Sequence, residues 1–169
     1  MGLKGSDGQS IVEEAFRRGA TRRAAERAKV ALEILLPVSQ QLRFLSCSGD
    51  MGQNVLDELG FEYDLIDFQP QQPSTAEDTM AAAGLIAQQR PDVLVFAGGD
   101  GTARDICSVI ADRIPVLGIP AGVKIHSGVY GISPTASGEV LLRLVQGQLV
   151  DIRDACLLYT SPSPRDSNL

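Results

Sequence analysis

No stretch of the chain is strongly basic and the formal charge is −6 over 169 residues, which argues against a nucleic-acid or anionic-membrane partner, since either would want a basic face. No apolar run reaches membrane-spanning length, and the polar, glycine-rich N-terminus has no apolar signal-peptide segment. Only three cysteines occur, Cys47, Cys107 and Cys156, widely spaced and without a Cys-x-x-Cys pair, so neither a disulfide framework nor a zinc site is suggested and no metal ligands are assigned. A reducing cytoplasm is the expected location. What remains is the composition of an ordinary soluble globule, long enough for one domain with a proper core.

Against that background one stretch stands out, Gly98-Gly99-Asp100-Gly101-Thr102. It follows Asp92-Val93-Leu94-Val95-Phe96-Ala97, an apolar run of the kind a buried parallel strand shows. It precedes Ala103 to Ile110, whose apolar positions recur at helical spacing. Glycines at such a strand-to-helix turn can take positive φ and let backbone approach a pyrophosphate, with unpaired N–H groups at the helix start pointing at the anion. A carboxylate beside a phosphate would repel it unless it holds a cation, accepts a proton or hydrogen-bonds a substrate hydroxyl, which singles out Asp100. The plainer alternative is a tight turn in which Asp100 or Thr102 caps the helix.

The rest of the chain alternates helix and strand. Ser10 is expected to cap a helix closed by Gly19, and a second helix to run from about Thr21, with Ala24, Ala28, Ala31, Leu32 and Leu35 on one face, until Pro37. Leu42 to Cys47 reads as a strand, Ser48 to Gly52 as a turn at the same end of the sheet as Gly98, and Val55 to Leu59 as a helix ended by Gly60. Tyr63 to Ile66 is a strand, and Ser74 with Glu77 suggests a capping box for a helix Ala76 to Gln89. Glu77 and Asp78 are thereby explained as first-turn carboxylates and stay outside the site. Ile114 to Pro120 is another buried strand. The loop after it carries Lys124, His126 and Ser127, either a phosphate contact and substrate hydrogen-bonders or solvent-exposed polar residues. Ser133-Pro134 starts a helix whose apolar face is Val140, Leu141, Leu144 and Val145. Alternating strands and helices with turns of this kind indicate an α/β fold, a doubly wound parallel sheet with helices on both faces.

Gly98 to Thr102 after an apolar strand resembles the Gly-Gly-Asp-Gly-Thr signature of the NAD kinase superfamily, which also contains diacylglycerol and sphingosine kinases. Leu3-Lys4-Gly5-Ser6-Asp7-Gly8, Thr75 to Thr79, and Gly118 to Ser127 narrow it to the bacterial and archaeal ATP- or polyphosphate-dependent NAD kinase-like branch, to which a protein of acetoin-catabolism operons also belongs. The resemblance spans about Gly2 to Ala155. It implies residues 1–155 as an N-terminal α/β domain lacking a first strand, with Met1 an internal or misassigned start and a second, β-rich domain missing. Residues 156–169 are polar and aperiodic and do not share the resemblance, so they are expected to be a disordered, non-native tail.

The activity implied is transfer of a phosphoryl group from ATP or polyphosphate to the 2′-hydroxyl of NAD, with Mg²⁺ on the phosphates and little or no activity in the fragment alone. Asp100 would orient or deprotonate the hydroxyl, and Gly98, Gly99, Gly101, Thr102, Gly122 and Lys124 would bind the cofactor. A homo-oligomer is one possible assembly. Two other readings stand beside it. A lipid kinase would share Gly98 to Thr102, but Pro120-Ala121-Gly122 is followed here by Val123-Lys124 rather than by that branch's threonine and Asn-Asp pair. A nucleotide-binding regulatory protein of the acetoin-operon kind would bind without turnover.

Overall fold

The apolar runs of the chain become short strands, and each lies parallel to its partner. The computed structural model describes residues 5–122 and 125–148, with side chains described from residue 16 onward. The elements in order are α1 (Gly5–Glu33), β1 (Phe44–Ser46), α2 (Gln53–Leu59), β2 (Tyr63–Leu65), α3 (Ala76–Gln88), β3 (Leu94–Gly98), α4 (Asp100–Ile110), β4 (Val116–Pro120) and α5 (Pro134–Val145). Parallel neighbours need a crossover, and α2 and α4 supply it between β1 and β2 and between β3 and β4.

Because side chains alternate along a strand, β3 and β4 bury two faces. Val93, Val95 and Leu117 pack with Leu32, Leu56 and Leu141 of α1, α2 and α5. Leu94, Phe96 and Val116 pack with Ala83, Ile106 and Ile110 of α3 and α4. Helices therefore cover both faces, as the apolar runs imply.

The single doubly wound sheet is not formed among the described residues. β1 pairs only with β2 and β3 only with β4, giving two two-stranded sheets. A cavity of about 1300 Å³ lies between them, and the consecutive residues 43–47 and 93–99 all line it. A strand that lines a space with every residue, not every second one, faces it with its hydrogen-bonding edge, so the inner edges of β1 and β3 look into the cavity.

Three local expectations are corrected. The two N-terminal helices are one, because Gly19 sits among strong helix formers with no proline, and Thr21, instead of capping a new helix, donates its hydroxyl to the Arg17 carbonyl at 3.0 Å. The capping box falls one residue later than Ser74 and Glu77: the Thr75 side chain accepts the Asp78 N–H at 3.3 Å and the Asp78 carboxylate accepts the Thr75 N–H at 2.9 Å. Asp78 also accepts the Gln71 N–H at 3.2 Å, so this register ties the preceding loop to the helix start. On α5, Val140 is exposed, and the inward face is Ser137, Gly138 and Leu141.

The start of α5 is as expected. Ser133 Oγ accepts the Ala136 N–H at 3.0 Å, and Pro134 occupies the first turn where no N–H is needed. Ser133→Ala should cost about 1 kcal/mol and lower Tm by roughly 2–4 °C, read from a thermal melt.

Candidate functional site

The site is built where β3 hands over to α4. Gly98 closes the strand, Gly99 is the N-cap in extended conformation, and Asp100, Gly101 and Thr102 form the first turn of α4. Helix geometry leaves the first N–H groups of α4 without an intrahelical acceptor, and no side chain caps them at Gly99. These amides carry the partial positive charge of the helix N-terminus.

The glycines serve closeness and not positive φ, which corrects one part of the sequence argument. None of Gly98, Gly99, Gly101 and Gly122 is among the positive-φ glycines of the described residues. A Cβ on Gly98 would lie 2.7 Å from Thr102 Oγ1, so Gly98 lets the helix fold back tightly on the strand. A Cβ on Gly99 or Gly101 would meet nothing within 4 Å, so the backbone there is bare and open.

Asp100 does not cap α4. Its carboxylate reaches across to the loop after β4, where it accepts the His126 N–H at 3.2 and 3.0 Å on its two oxygens and the Ser127 N–H at 3.1 Å. It is the backbone of His126 and Ser127 that meets Asp100. Ser127 is buried and His126 exposed. The same loop is fixed to β4 by Gly118 N–H to Val129 O at 2.8 Å and Gly131 N–H to Gly118 O at 3.2 Å. Ser137 Oγ adds a bond to the Gly118 carbonyl at 3.0 Å.

Tyr130 was not marked by the sequence. Its hydroxyl donates to the Gly99 carbonyl, and its ring stands edge-on to Phe96 with centroids 5.4 Å apart. The sequence signal was an aromatic in a glycine-flanked loop, which becomes informative only once the Gly118 to Tyr130 bridge places it against the turn.

Of the expected binding residues, Gly98, Gly99, Thr102 and Gly122 line one wall of the large cavity, and Ala121 N–H binds the Gly98 carbonyl at 3.0 Å to hold the two loops together. Asp50 and Gly52 of the other strand-to-helix turn line the same cavity, as their position at the same end of the sheet predicts. Gly101 is exposed at the helix start. Lys124 and residues 156–169 lie outside the described residues. Among the described residues no group of three or more histidine, cysteine, aspartate or glutamate side chains is placed to hold a metal ion.

Cys47, which lines the cavity from the β1 side, is buried and unpaired, and burial pushes its thiol pKa up. It therefore stays protonated at neutral pH, and iodoacetamide should alkylate it at roughly a tenth or less of the rate seen in the denatured chain, followed by mass spectrometry. This thiol favours the folded state below its ordinary pKa, and that contribution is lost as pH rises through the raised folded value.

No described helix is long and apolar enough to cross a membrane. No curated protein and no solved structure matches the chain. A family model described as ATP-NAD kinase N-terminal domain matches residues 10–149, a span that contains both cavity-lining turns and the loop bound to Asp100, and the chain belongs to that family.

Proposed function

We propose that the chain is the nucleotide-binding domain of an NAD kinase-like phosphotransferase, which moves a phosphoryl group from ATP or polyphosphate to the 2′-hydroxyl of NAD. The observation that carries this is the β3 to α4 turn, an uncapped helix N-terminus with bare glycine backbone and one carboxylate beside it. In the transfer the 2′-oxygen forms a bond to the γ-phosphorus, the bond from phosphorus to the leaving phosphate breaks, and the hydroxyl proton leaves to a base. In this reading Asp100 orients that hydroxyl and takes its proton. A carboxylate is a weak base for an alcohol, but a loose phosphoryl-transfer transition state depends mainly on positioning and charge. The amides of Asp100, Gly101 and Thr102 bind phosphate oxygens, and Gly122 and Lys124 are assigned to the same ligand. The turn offers one carboxylate, so magnesium would be carried on the donor's own phosphates, where it neutralises their charge.

A doubly wound sheet grows outward in both directions from a central strand. β1 then β2, and β3 then β4, run outward from the cavity in that way. We therefore assign the cavity to the first strand that the family resemblance implies, and residues 1–155 to one domain that works with a second, β-rich one. The setting proposed is the cytoplasm, with no nucleic-acid or membrane partner and with self-association through uncovered apolar surface as one possible assembly.

The test is NADP formation from NAD with MgATP or magnesium polyphosphate. The chain alone should give little or none, and the same chain joined to its first strand and β-rich domain should turn over. One observation favours a second reading, a nucleotide-binding regulator without catalysis: three hydrogen bonds from His126 and Ser127 already engage the Asp100 carboxylate. That reading predicts nucleotide binding with no turnover in the joined protein.

A further inference from the structure

We propose that Tyr130 is a positioning residue that aims the phosphate-binding amides of the β3 to α4 turn. This rests on the nucleotide-binding role of that turn proposed above. The Gly99 carbonyl accepts two hydrogen bonds, from Ala103 N–H at 3.1 Å, the first bond of α4, and from the Tyr130 hydroxyl. A trans peptide is planar, so fixing the Gly99 carbonyl fixes the Asp100 N–H on the opposite side of the same plane. That N–H leads the uncapped N-terminus of α4.

Glycine at position 99 gives the peptide no side chain to hold it. With open space around it, nothing at Gly99 itself restrains the rotation of this plane. Beyond the α4 bond from Ala103, the restraint comes from Tyr130, and Tyr130 is in turn well anchored. Its ring occupies the space a side chain at 118 would fill, since a Cβ on Gly118 would lie 2.4 Å from Tyr130 Cδ1. Phe96 of β3 meets the ring edge-on, and the backbone on either side of Tyr130 is bonded to Gly118. The anchor is thus the sheet itself, and the phenol transmits its position to the turn. Asp100 holds the other side of the same turn through His126 and Ser127. The two contacts together fix both the peptide plane and the carboxylate before any ligand arrives, which lowers the ordering cost of binding.

Tyr130→Phe keeps the ring and its packing and removes only the hydroxyl. Measured by calorimetry on the full 169-residue chain with MgATP and with inorganic triphosphate, affinity should fall about three- to tenfold for both probes, the size of one lost hydrogen bond. Val38→Ala, in the core beside Leu35 and outside the cavity lining, serves as the control for general destabilisation and should lower Tm while leaving both affinities unchanged. Binding by Tyr130→Phe equal to that of the unaltered chain overturns the assignment, as does an affinity loss in Val38→Ala that tracks its loss of Tm. If the unaltered chain binds neither probe, the nucleotide-binding role and the assignment of Tyr130 fall together, an outcome distinct from the other two.

Discussion

Gly138→Ala should destabilise the protein by about 3 kcal/mol and lower Tm by roughly 6–12 °C, measured by urea and thermal denaturation. Alanine is the better helix former, worth about 1 kcal/mol over glycine in an open helix position. At Gly138 that gain is overwhelmed. A Cβ there would lie 2.3 Å from the Ala31 carbonyl oxygen, 3.1 Å from its carbon and 2.8 Å from Ile34 Cδ1. The isoleucine could rotate away, but the Ala31 carbonyl belongs to the backbone of α1 and cannot move without shifting the helix. Gly138 is thus the point at which α1 and α5 approach backbone to backbone, and the core around Leu32, Leu35 and Leu141 depends on that approach. Gly84→Ala is the matched control. It sits in α3 with nothing within 4 Å of a Cβ and should stabilise by about 0.5–1 kcal/mol. If both substitutions stabilise, α1 and α5 do not meet closely at Gly138.

What the sequence discloses depends on how local the determining physics is. The strand and helix around Gly98 to Thr102 were legible because an apolar run, a glycine pair and a 3.6-residue pattern lie next to each other. The same holds for the Ser133-Pro134 start of α5 and for the Gly60 stop of α2, where the glycine takes φ +75°. Gly19 misled because a glycine inside a helix and a glycine ending one look alike until the neighbouring residues are weighed. The capping box misled by a single residue, since Ser74 with Glu77 and Thr75 with Asp78 have the same spacing. The choice was made by the Gln71 amide, a contact from the loop in front.

The site was half legible. Asp100 could be singled out from chemistry alone, because a carboxylate next to a glycine turn of the kind that suits a phosphate demands a reason. Its partners could not, since they are backbone amides twenty-six and twenty-seven residues on, and an amide leaves no trace in composition. Tyr130 stayed hidden for the same reason: its partner is the Gly99 carbonyl. The cavity between β1 and β3 also lies beyond sequence reasoning. Each strand can be read from its own residues, but whether two strands are neighbours or are separated by a gap is a property of the assembled sheet.

Asp100→Asn should lower kcat of the joined enzyme by about two to four orders of magnitude, the range expected when a positioned proton acceptor is lost. The substitution keeps the size of the side chain and one carbonyl oxygen. It removes the negative charge and replaces one acceptor with an NH₂ group facing the N–H donors of His126 and Ser127. The loop should therefore loosen as well, at about 1.5–3 kcal/mol for hydrogen bonds to a charged group, with a little more lost because the first turn of α4 favours an anion. These two effects pull the kinetics in different directions. A loosened loop raises KM and lowers Tm, whereas a missing proton acceptor lowers kcat with substrate saturating. Asp100→Glu keeps the charge and displaces it by one methylene, so it should retain part of the loop's stability while losing most of the turnover if proton transfer is the role. If Asp100→Asn lowers Tm and nucleotide affinity but leaves kcat at saturation unchanged, Asp100 is a clamp for the His126 loop and the transfer needs no base from this turn. If kcat collapses while Tm in Asp100→Glu is nearly intact, the carboxylate acts on the substrate hydroxyl, and the bonds to His126 and Ser127 are what hold it ready.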